Sequence, residues 1–390
     1  MDEIRVPGRV VTPAGIVDDA VVVVSGSRIE YVGRVTAPGP AGGASGRPTR
    51  AAPLVLPGLV DVHNHGGGGL SSTSADPRAV AGAAEHHLRH GTTGVVASIV
   101  TDRPDAMIEA VSAAADGVES GHVVAVHVEG PFLAPARCGA QDPRHLLPPD
   151  AGLARDLLAA GRGQVRVMTV APELEGADDV VEVLLEHGVV PAVGHTEAAP
   201  DAVRRTLART RAALGRPGLV SHLFNGMPPM HHRRPGPVAG ALGAAAAGDA
   251  RVELVADGVH LADETVRTVF DLLGPERIVL VTDAMAAAGM PDGSYDLGPQ
   301  RVRVVEGVAR LGGGTEGPLA GGTAHLLDVV RRCVHAGIDL TDAVAAASST
   351  PAAALGLEAG GLAAGHRADL VVTDADLRPI RVMRGGRWIG

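Results

Sequence analysis

Eight apolar runs rich in β-branched residues recur along this 390-residue chain, separated by helical or loop segments. Strands joined by such crossover segments form parallel sheets, because a tight turn cannot connect a parallel pair. Eight strand-and-crossover units close into a (β/α)8 barrel, whose single domain often reaches about 250 residues or more. We therefore predict an α/β fold built on a TIM-type barrel. The predicted barrel strands are residues 56–62, 93–100, 122–128, 165–170, 189–193, 219–221, 252–256 and 277–281.

Both ends of the chain contain shorter strand-like segments separated by turns. These segments are residues 21–24, 28–32, 368–372 and 381–383. Residues 38–53 are rich in Gly, Pro and Ala, which predicts a loose connecting loop. We predict that residues 1–57 and 358–390 build a small, discontinuous β-sandwich domain beside the barrel domain of residues 58–357.

The composition excludes several classes of function. The chain contains no lysine, which rules out a phosphate-loop NTPase, a Schiff-base enzyme and a dinuclear hydrolase bridged by a carbamylated lysine. A formal net charge of -10, without any basic run, argues against nucleic acid or an anionic membrane as the partner. No stretch approaches the roughly 20 apolar residues of a membrane span. Cys138 and Cys333 are too few for a disulfide framework, so we expect a cytoplasmic enzyme.

Residues that can bind a metal ion follow most of the predicted strands. Active sites of such barrels lie at the carboxyl ends of the strands. His63 and His65 follow the first run, and their spacing points both imidazoles to the same side of a strand. Such a pair is often structural when it stands alone. Further candidates follow other strands, whereas the second and fourth strands are followed by no plausible ligand. They are Glu129, His195, His222, His260 and Asp283.

Three of these residues form a familiar ligand set. Glu129, His195 and His222 supply two imidazoles and a carboxylate with one open position, as in hydrolytic zinc sites. Taken alone, Glu129 is more typical of a helix cap or an ion pair in a loop. A single histidine is typical of a buried position with its hydrogen bonds satisfied. Their succession at strand ends favours a metal centre. We expect Asp283 to be the acid/base that takes a proton from cation-activated water and passes it to a leaving nitrogen; a further ligand or a helix cap is the alternative.

The segment after the sixth strand offers groups for an anion. Asn225 and Gly226 precede Arg233 and Arg234 by a few residues. Guanidinium groups bind phosphate through two parallel hydrogen bonds, and exposed backbone N–H groups add donors. An arginine pair in a loop is otherwise usually solvated surface. His260, after the seventh strand, could hydrogen-bond a hydroxyl or acyl group of a ligand.

Six motifs, in order, resemble those of the N-acetylglucosamine-6-phosphate deacetylases of the amidohydrolase superfamily. They are LPGLVDVHNHGGGG, HVEGPFLAPARCGA, VGHT, SHLFNGMPPM, VADGVH and LVTDAM, with GSRIEYVG and GLAAGHRADLVV in the flanks. The resemblance covers nearly the whole chain. It implies metal-dependent hydrolysis of the acetamide of N-acetylglucosamine 6-phosphate to glucosamine 6-phosphate and acetate. A related deacylase of N-acetylgalactosamine 6-phosphate is the nearest alternative, and a non-catalytic barrel scaffold is a more distant one.

The resemblance also implies roles for individual residues. A divalent ion, expected to be Zn²⁺, is essential, and a second ion is expected beside it. The arginine of the phosphate-contacting stretch often reaches a neighbouring subunit in such families, which implies a homodimer or a dimer of dimers. The implied roles are metal ligation by Glu129, His195 and His222, a second ion at His63 and His65, acid/base catalysis by Asp283, phosphate contact by Asn225, Gly226 and Arg233, and substrate contact by His260.

Two positions in the second motif call for separate comment. Many members of the family carry histidine where this chain has Gln141, a position that helps to orient the substrate or its developing oxyanion. Glutamine donates a hydrogen bond but cannot become cationic, so we expect a weakened form of that role. Cys138 lies on the same loop and is either a reactive thiol near the metal or a small loop residue.

Overall fold

Strands and helices alternate through most of the chain. The computed structural model describes residues 3–34, 52–312 and 316–390. The strands are β1 (Glu3–Thr12), β2 (Gly15–Ser25), β3 (Arg28–Arg34), β4 (Leu54–Pro57), β5 (Leu59–Asn64), β6 (Gly66–Gly67), β7 (Leu70–Ser71), β8 (Thr92–Ile99), β9 (Ala125–Glu129), β10 (Val165–Val170), β11 (Val190–Val193), β12 (Gly218–Val220), β13 (Ala250–Leu254), β14 (Ile278–Leu280), β15 (Gly293–Leu297), β16 (Gln300–Val305), β17 (Val308–Leu311), β18 (Leu370–Thr373), β19 (Pro379–Arg384) and β20 (Arg387–Trp388).

Most of the helices cross over between barrel strands. The helices are α1 (Pro77–Arg89), α2 (Pro104–Glu119), α3 (Ala151–Ala160), α4 (Ala177–Glu186), α5 (Pro200–Leu214), α6 (Gly236–Ala246), α7 (Asp263–Leu273), α8 (Leu326–His335), α9 (Leu340–Ala346) and α10 (Ser349–Leu355). Helix α7 shows why these segments are helical: Val266, Val269, Phe270 and Leu273 recur at helical spacing and are buried. Gly274, with φ at 73°, ends the helix.

Eight parallel strands form the barrel. Their order in the sheet is β14-β13-β12-β11-β10-β9-β8-β5. The seam between β5 and β14 is closed just beyond β14, where the Asp283 N–H donates to the His63 carbonyl at 3.0 Å and the His65 N–H donates to the Ala284 carbonyl at 2.7 Å. The predicted TIM-type barrel is thereby confirmed.

The first predicted run is divided between two sheets. Residues 54–57 form β4, which belongs to the sheet of the chain termini, and the barrel strand β5 begins only at Leu59. The break falls at Gly58, where a Cβ atom would lie 2.1 Å from the Thr93 hydroxyl. Pro57 has no N–H to donate to a sheet, and position 58 has no room for a side chain. One strand therefore ends here and the next begins.

The chain termini combine in one mixed sheet. Its seven strands have the order β20-β19-β18-β4-β1-β2-β3, so strands from both ends of the chain are neighbours. β4 pairs parallel to β1 and antiparallel to β18. Side chains from both ends share one core, as the prediction of a domain built from both termini requires: Val10, Val22, Val24, Ile29, Leu370 and Met383. The domain boundaries at residues 57/58 and 357/358 stay predictions. Most of the predicted loop at 38–53 lies outside the described residues.

A feature that sequence reasoning missed follows the eighth strand. Residues 293–311 form a three-stranded antiparallel sheet, β15-β16-β17. On the apolar side of this sheet, Leu297, Val302 and Val304 share a core with Met285 and Val100 of the barrel loops. Leu297 of this insertion, with Pro318 and Leu319, lies over the carboxyl ends of the barrel strands. Among the described residues, no helix combines the length and apolar character that crossing a membrane requires.

Candidate active site

His63 and His65 lie at the end of β5 with fixed ring orientations. His63 Nδ1 lies 2.8 Å from Oε2 of Glu253, and His65 Nδ1 lies 3.1 Å from the Ser98 carbonyl. Because a carboxylate and a carbonyl only accept hydrogen bonds, Nδ1 carries the proton in both neutral rings. The Nε2 atoms, 3.2 Å apart, therefore present lone pairs toward each other. Metal-ligating histidines are held in this way.

Glu129, His195 and His222 meet across the barrel mouth. Glu129 Oε1 lies 3.2 Å from His195 Nε2 and 3.0 Å from His222 Nε2. His195 Nδ1 is held at 2.7 Å by the Arg137 carbonyl. Both histidines follow short barrel strands in the left-handed region, with φ at 48° and 26°. This uncommon backbone conformation aims the imidazoles into the barrel, and strain of this kind gathers at functional sites.

Glu129 also contacts the first histidine pair. Its Oε1 lies 3.3 Å from His63 Nε2, and its Oε2 lies 3.3 Å from His65 Nε2. Glu129 is therefore surrounded by four imidazole nitrogens, at least three of which are lone-pair donors in the neutral rings. Lone pairs and anionic oxygens at these distances repel one another unless a proton or a cation lies between them. The donor set fits divalent metal.

Asp283 faces the same centre from the eighth strand. Its Oδ1 lies 3.3 Å from His65 Nε2 and 3.6 Å from His63 Nε2. Its backbone is also left-handed, with φ at 48°. His63, His65 and Asp283 form a group whose ligand atoms are close enough to hold one ion, and His63, Glu129 and His222 form another. The carboxylate of Asp283 is thus beside any ion bound there.

In this cluster, the neighbouring charges shift the pKa values more than burial does. Burial disfavours the charged rings, yet Glu253 and Glu129 raise the pKa of His63 well above its ordinary value, and Asp283 with Glu129 raises the pKa of His65 to about 9. Burial likewise opposes ionisation of the carboxyls, but the neighbouring imidazoles hold the pKa values of Glu129 and Asp283 below the usual range. Both carboxylates are ionised at neutral pH, and a cation competes with protons for the imidazoles.

A cavity of about 230 Å³ opens over this cluster. Its lining residues are His65, Glu129, Gly139, Ala140, Gln141, His195, His222, Asn225, Gly226, His260, Asp283, Leu297, Pro318, Leu319 and Gly321. All of the predicted site residues except two line this cavity. His63 lies fully buried beneath the cavity, and Arg233 lies exposed on the loop after Gly226, outside the lining. A larger cavity of about 350 Å³ at the terminal sheet contains none of them.

Two side chains in the lining are tied to carboxylates. Gln141 donates through Nε2 to Glu129 Oε2 and accepts from the Thr101 N–H at 2.9 Å. His260 Nδ1 lies 2.8 Å from Asp257 Oδ2. Burial opposes protonation of His260, but the bond to Asp257 raises its pKa. Gln141 therefore orients the central carboxylate, and His260 presents a fixed ring to the cavity.

Sequence reasoning missed the residues behind the site. Glu253 is a charged residue within an apolar strand and is only 1% exposed, and such a position is a usable sign that a partner is buried with it. Asp61, equally buried, accepts from the Thr282 hydroxyl, and burial raises its pKa. Asp257 supports His260 in the way that Glu253 supports His63, with its Oδ2 2.8 Å from His260 Nδ1. Cys138 follows the short 3₁₀ turn Pro135–Arg137 as its C-cap and is half-buried.

The chain matches known proteins over most of its length. Residues 54–389 match the amidohydrolase family. The chain is 31% identical over 340 residues to an N-acetylglucosamine-6-phosphate deacetylase of Lysinibacillus sphaericus, covering 86% of this chain and 85% of that protein. It is 34% identical over 339 residues to an N-acetylgalactosamine-6-phosphate deacetylase of Escherichia coli O157:H7, covering 84% and 85%.

A solved structure agrees over the full length. It is a mutant of N-acetyl-D-glucosamine-6-phosphate deacetylase from Mycobacterium smegmatis in complex with N-acetyl-D-glucosamine-6-phosphate, with a TM-score of 0.90 and 39% identity, covering 100% of this chain and 99% of that chain. Amidohydrolases are metal-dependent, which agrees with the donor set above. The chain therefore belongs to the amidohydrolase family and, within it, to the N-acetylglucosamine-6-phosphate deacetylases.

Proposed function

We propose that this enzyme hydrolyses the acetamide of N-acetylglucosamine 6-phosphate to glucosamine 6-phosphate and acetate. One observation carries the proposal: an ionised Asp283 faces a carboxylate–imidazole donor set in a single cavity. Relatives that act on N-acetyl amino-sugar 6-phosphates match most of the chain. A cytoplasmic location remains part of the proposal.

The residues divide the chemistry between them. A divalent ion held by Glu129, His195 and His222, with Zn²⁺ favoured by the nitrogen and oxygen donors, would supply water of lowered pKa and polarise the acetamide carbonyl. Asp283 takes a proton from the water as its oxygen forms a bond to the carbonyl carbon. Asp283 then gives that proton to the nitrogen as the C–N bond breaks, so acetate and an amine leave. His260 is placed to hydrogen-bond the substrate.

The identity of the sugar is the finer question. N-Acetylgalactosamine 6-phosphate is the second candidate, favoured by the 34% identity to a deacetylase of that sugar. The test is to measure kcat/KM for both epimers with the metal-loaded enzyme. A higher value for the glucosamine epimer supports the proposal, and a higher value for the galactosamine epimer replaces it. No turnover of either sugar would favour the non-catalytic scaffold.

A phosphate group on the substrate needs cationic side chains or backbone N–H donors as partners. No arginine lines the cavity among the described residues, and Arg233 is exposed on the loop beyond Asn225 and Gly226. We propose that Arg233 of a second copy in a homodimer or larger assembly completes the site, while Asn225 and Gly226 supply contacts from within the chain. The arrangement would leave a monomer without its main phosphate contact.

Replacing Arg233 by Ala should weaken the phosphorylated substrate more than the unphosphorylated sugar. A charge-assisted hydrogen bond contributes about 1.5–3 kcal/mol, so kcat/KM for the phosphate ester should fall roughly ten- to a hundredfold. The neighbouring Arg234→Ala variant is the matched control, since it removes the same charge from the same exposed loop. Equal losses for both sugars, or for both variants, would move the phosphate site elsewhere.

The centre should hold two ions. A His₂Glu ion with water is already a complete hydrolytic site, so His63 and His65 next to Glu129 are best explained by a second ion. Without any lysine, Glu129 would be the residue that both ions share. Replacing His63 and His65 together by Ala should lower the metal content by about one equivalent. Elemental analysis decides: a wild type that saturates at one ion, or a double variant that binds as much as wild type, contradicts this arrangement.

A further inference from the structure

A second histidine cluster lies outside the catalytic cavity. His86 and His90 stand one turn apart at the end of α1, and His325 caps the start of α8. Their ligand nitrogens all lie within 4.8 Å of one another. None of the three lines the cavity over Asp283. The cluster joins the helix that follows the first barrel strand to a helix that follows the eighth.

The ring orientations resemble those at the catalytic centre. His325 Nδ1 lies 3.1 Å from Asp328 Oδ2, and His90 Nδ1 lies 2.8 Å from the His86 carbonyl. These acceptors fix the Nδ1 proton, so the Nε2 atoms of both neutral rings carry free lone pairs. A carboxylate or carbonyl behind each imidazole is the arrangement that supports metal-binding histidines.

Two ligand nitrogens already face each other. His86 Nε2 lies 3.0 Å from His325 Nε2, although the residues are 239 positions apart. Two imidazole nitrogens at this distance need a proton or a cation between them. The backbone in front of them is Gly289, where a Cβ atom would lie 2.6 Å from His86 Nε2 and 2.9 Å from His325 Nε2. The absence of a side chain leaves this position open.

We propose that His86, His90 and His325 bind one divalent transition-metal ion, with water completing the coordination. Imidazole nitrogens suit Zn²⁺, Ni²⁺ or Cu²⁺ and do not suit Mg²⁺ or Ca²⁺. The His90 and His325 rings stack at 3.7 Å with planes 9° apart, so one of them tilts to place both nitrogens toward the ion. All three residues are half-buried, which leaves the ion access from solvent.

The ion would link α1, which follows the first barrel strand, to α8, which follows the eighth. Residues after β5 and after β14 already meet near the cluster, since the Gly68 N–H donates to the Ala288 carbonyl at 2.9 Å. His87, next to His86, bonds the Gly66 carbonyl at 2.9 Å. An ion held by His86 and His325 would join α1 to α8 beside these contacts, so its binding should raise the midpoint of thermal unfolding.

The test counts metal in matched variants. His325→Asn keeps a good helix cap and removes the ligand, and His86→Gln removes a ligand from the other helix. His187→Asn is the control, because His187 caps α4 with Nδ1 at 2.7 Å from the Val183 carbonyl, as His90 caps α1, but belongs to no ligand cluster. Each chain, freed of metal and re-equilibrated with Zn²⁺, is analysed for zinc content and thermal midpoint.

We expect the wild type and His187→Asn to carry about one equivalent more zinc than either cluster variant, with a larger rise in thermal midpoint on zinc addition. Mg²⁺ should produce no such difference. Equal zinc content in the wild type and a folded His325→Asn or His86→Gln chain would overturn the proposal and leave a proton shared by the two rings. Zinc content is read independently of deacetylase activity.

Discussion

We expect the Asp283→Asn enzyme to keep its fold and its metal but to lose at least about a hundredfold in kcat. The side chain keeps its size, and its Oδ1 can still face His65, so the surroundings stay in place. What disappears is the ionised group that accepts the proton from water and returns it to the leaving nitrogen. An amide cannot do either at neutral pH.

The measurements are kcat, zinc content and circular dichroism on the same preparation. Asp296→Asn is a suitable control, because Asp296 lies on β15 after the same barrel strand and is largely exposed. That variant should retain the activity of the wild type. Near-normal turnover of Asp283→Asn at full metal content would remove the acid/base assignment. If kcat falls in proportion to a lower zinc content, Asp283 is a metal ligand instead.

Replacing Glu129 by Gln should have the larger effect. Glu129 approaches His63, His65, His195 and His222 within 3.3 Å. Losing its charge removes the anion common to both ion positions. Metal activation contributes several kcal/mol to hydrolysis, so we expect kcat/KM to fall by about a thousandfold or more, together with the zinc content.

Glu253→Gln is the matched comparison for that variant. Glu253 has the same charge and burial but lies behind the ligands: its Oε2 lies 2.8 Å from His63 Nδ1 and accepts from the His222 N–H at 3.0 Å. A glutamine carbonyl can still accept these hydrogen bonds, so the loss should be roughly ten- to a hundredfold. Excess zinc should restore part of the activity of Glu253→Gln and little of Glu129→Gln. Full activity of Glu129→Gln would exclude Glu129 from the metal centre.

The sequence was sufficient for the barrel and its rim because two strong regularities coincide. Parallel strands are buried on both faces, which makes them continuous apolar runs. A ligand-type residue directly after such a run, as at Glu129 or His195, has to lie at the mouth of the barrel. Neither inference needs to know which helices pack where. The lining residues that follow barrel strands, such as His65 and Asp283, could therefore be predicted before any coordinates, whereas the position of Gln141 rested on the resemblance.

The residues that escaped prediction depend on contacts between distant segments. Glu253 and Asp61 appear within strands as isolated charges, and only the fold reveals that His63 and Thr282 are buried opposite them. The strands of the sheet at 293–311 alternate polar and apolar residues, as in Gln300–Val305, so they lack the continuous apolar run that marks a barrel strand. The role of Arg233 depends on the proposed second copy, which the sequence of one chain does not describe.

The seam between the first and eighth barrel strands has a consequence for the order of synthesis. Asp61 and Thr282, which flank the catalytic residues, are hydrogen-bonded across 221 positions of the chain. A ribosome has to release most of the protein before Asp283 can meet His63 and His65. Nascent chains that end before the eighth strand contain Glu129, His195 and His222 but lack Asp283. Hydrolysis should therefore begin only after barrel closure, so that activity during translation reports the completed fold.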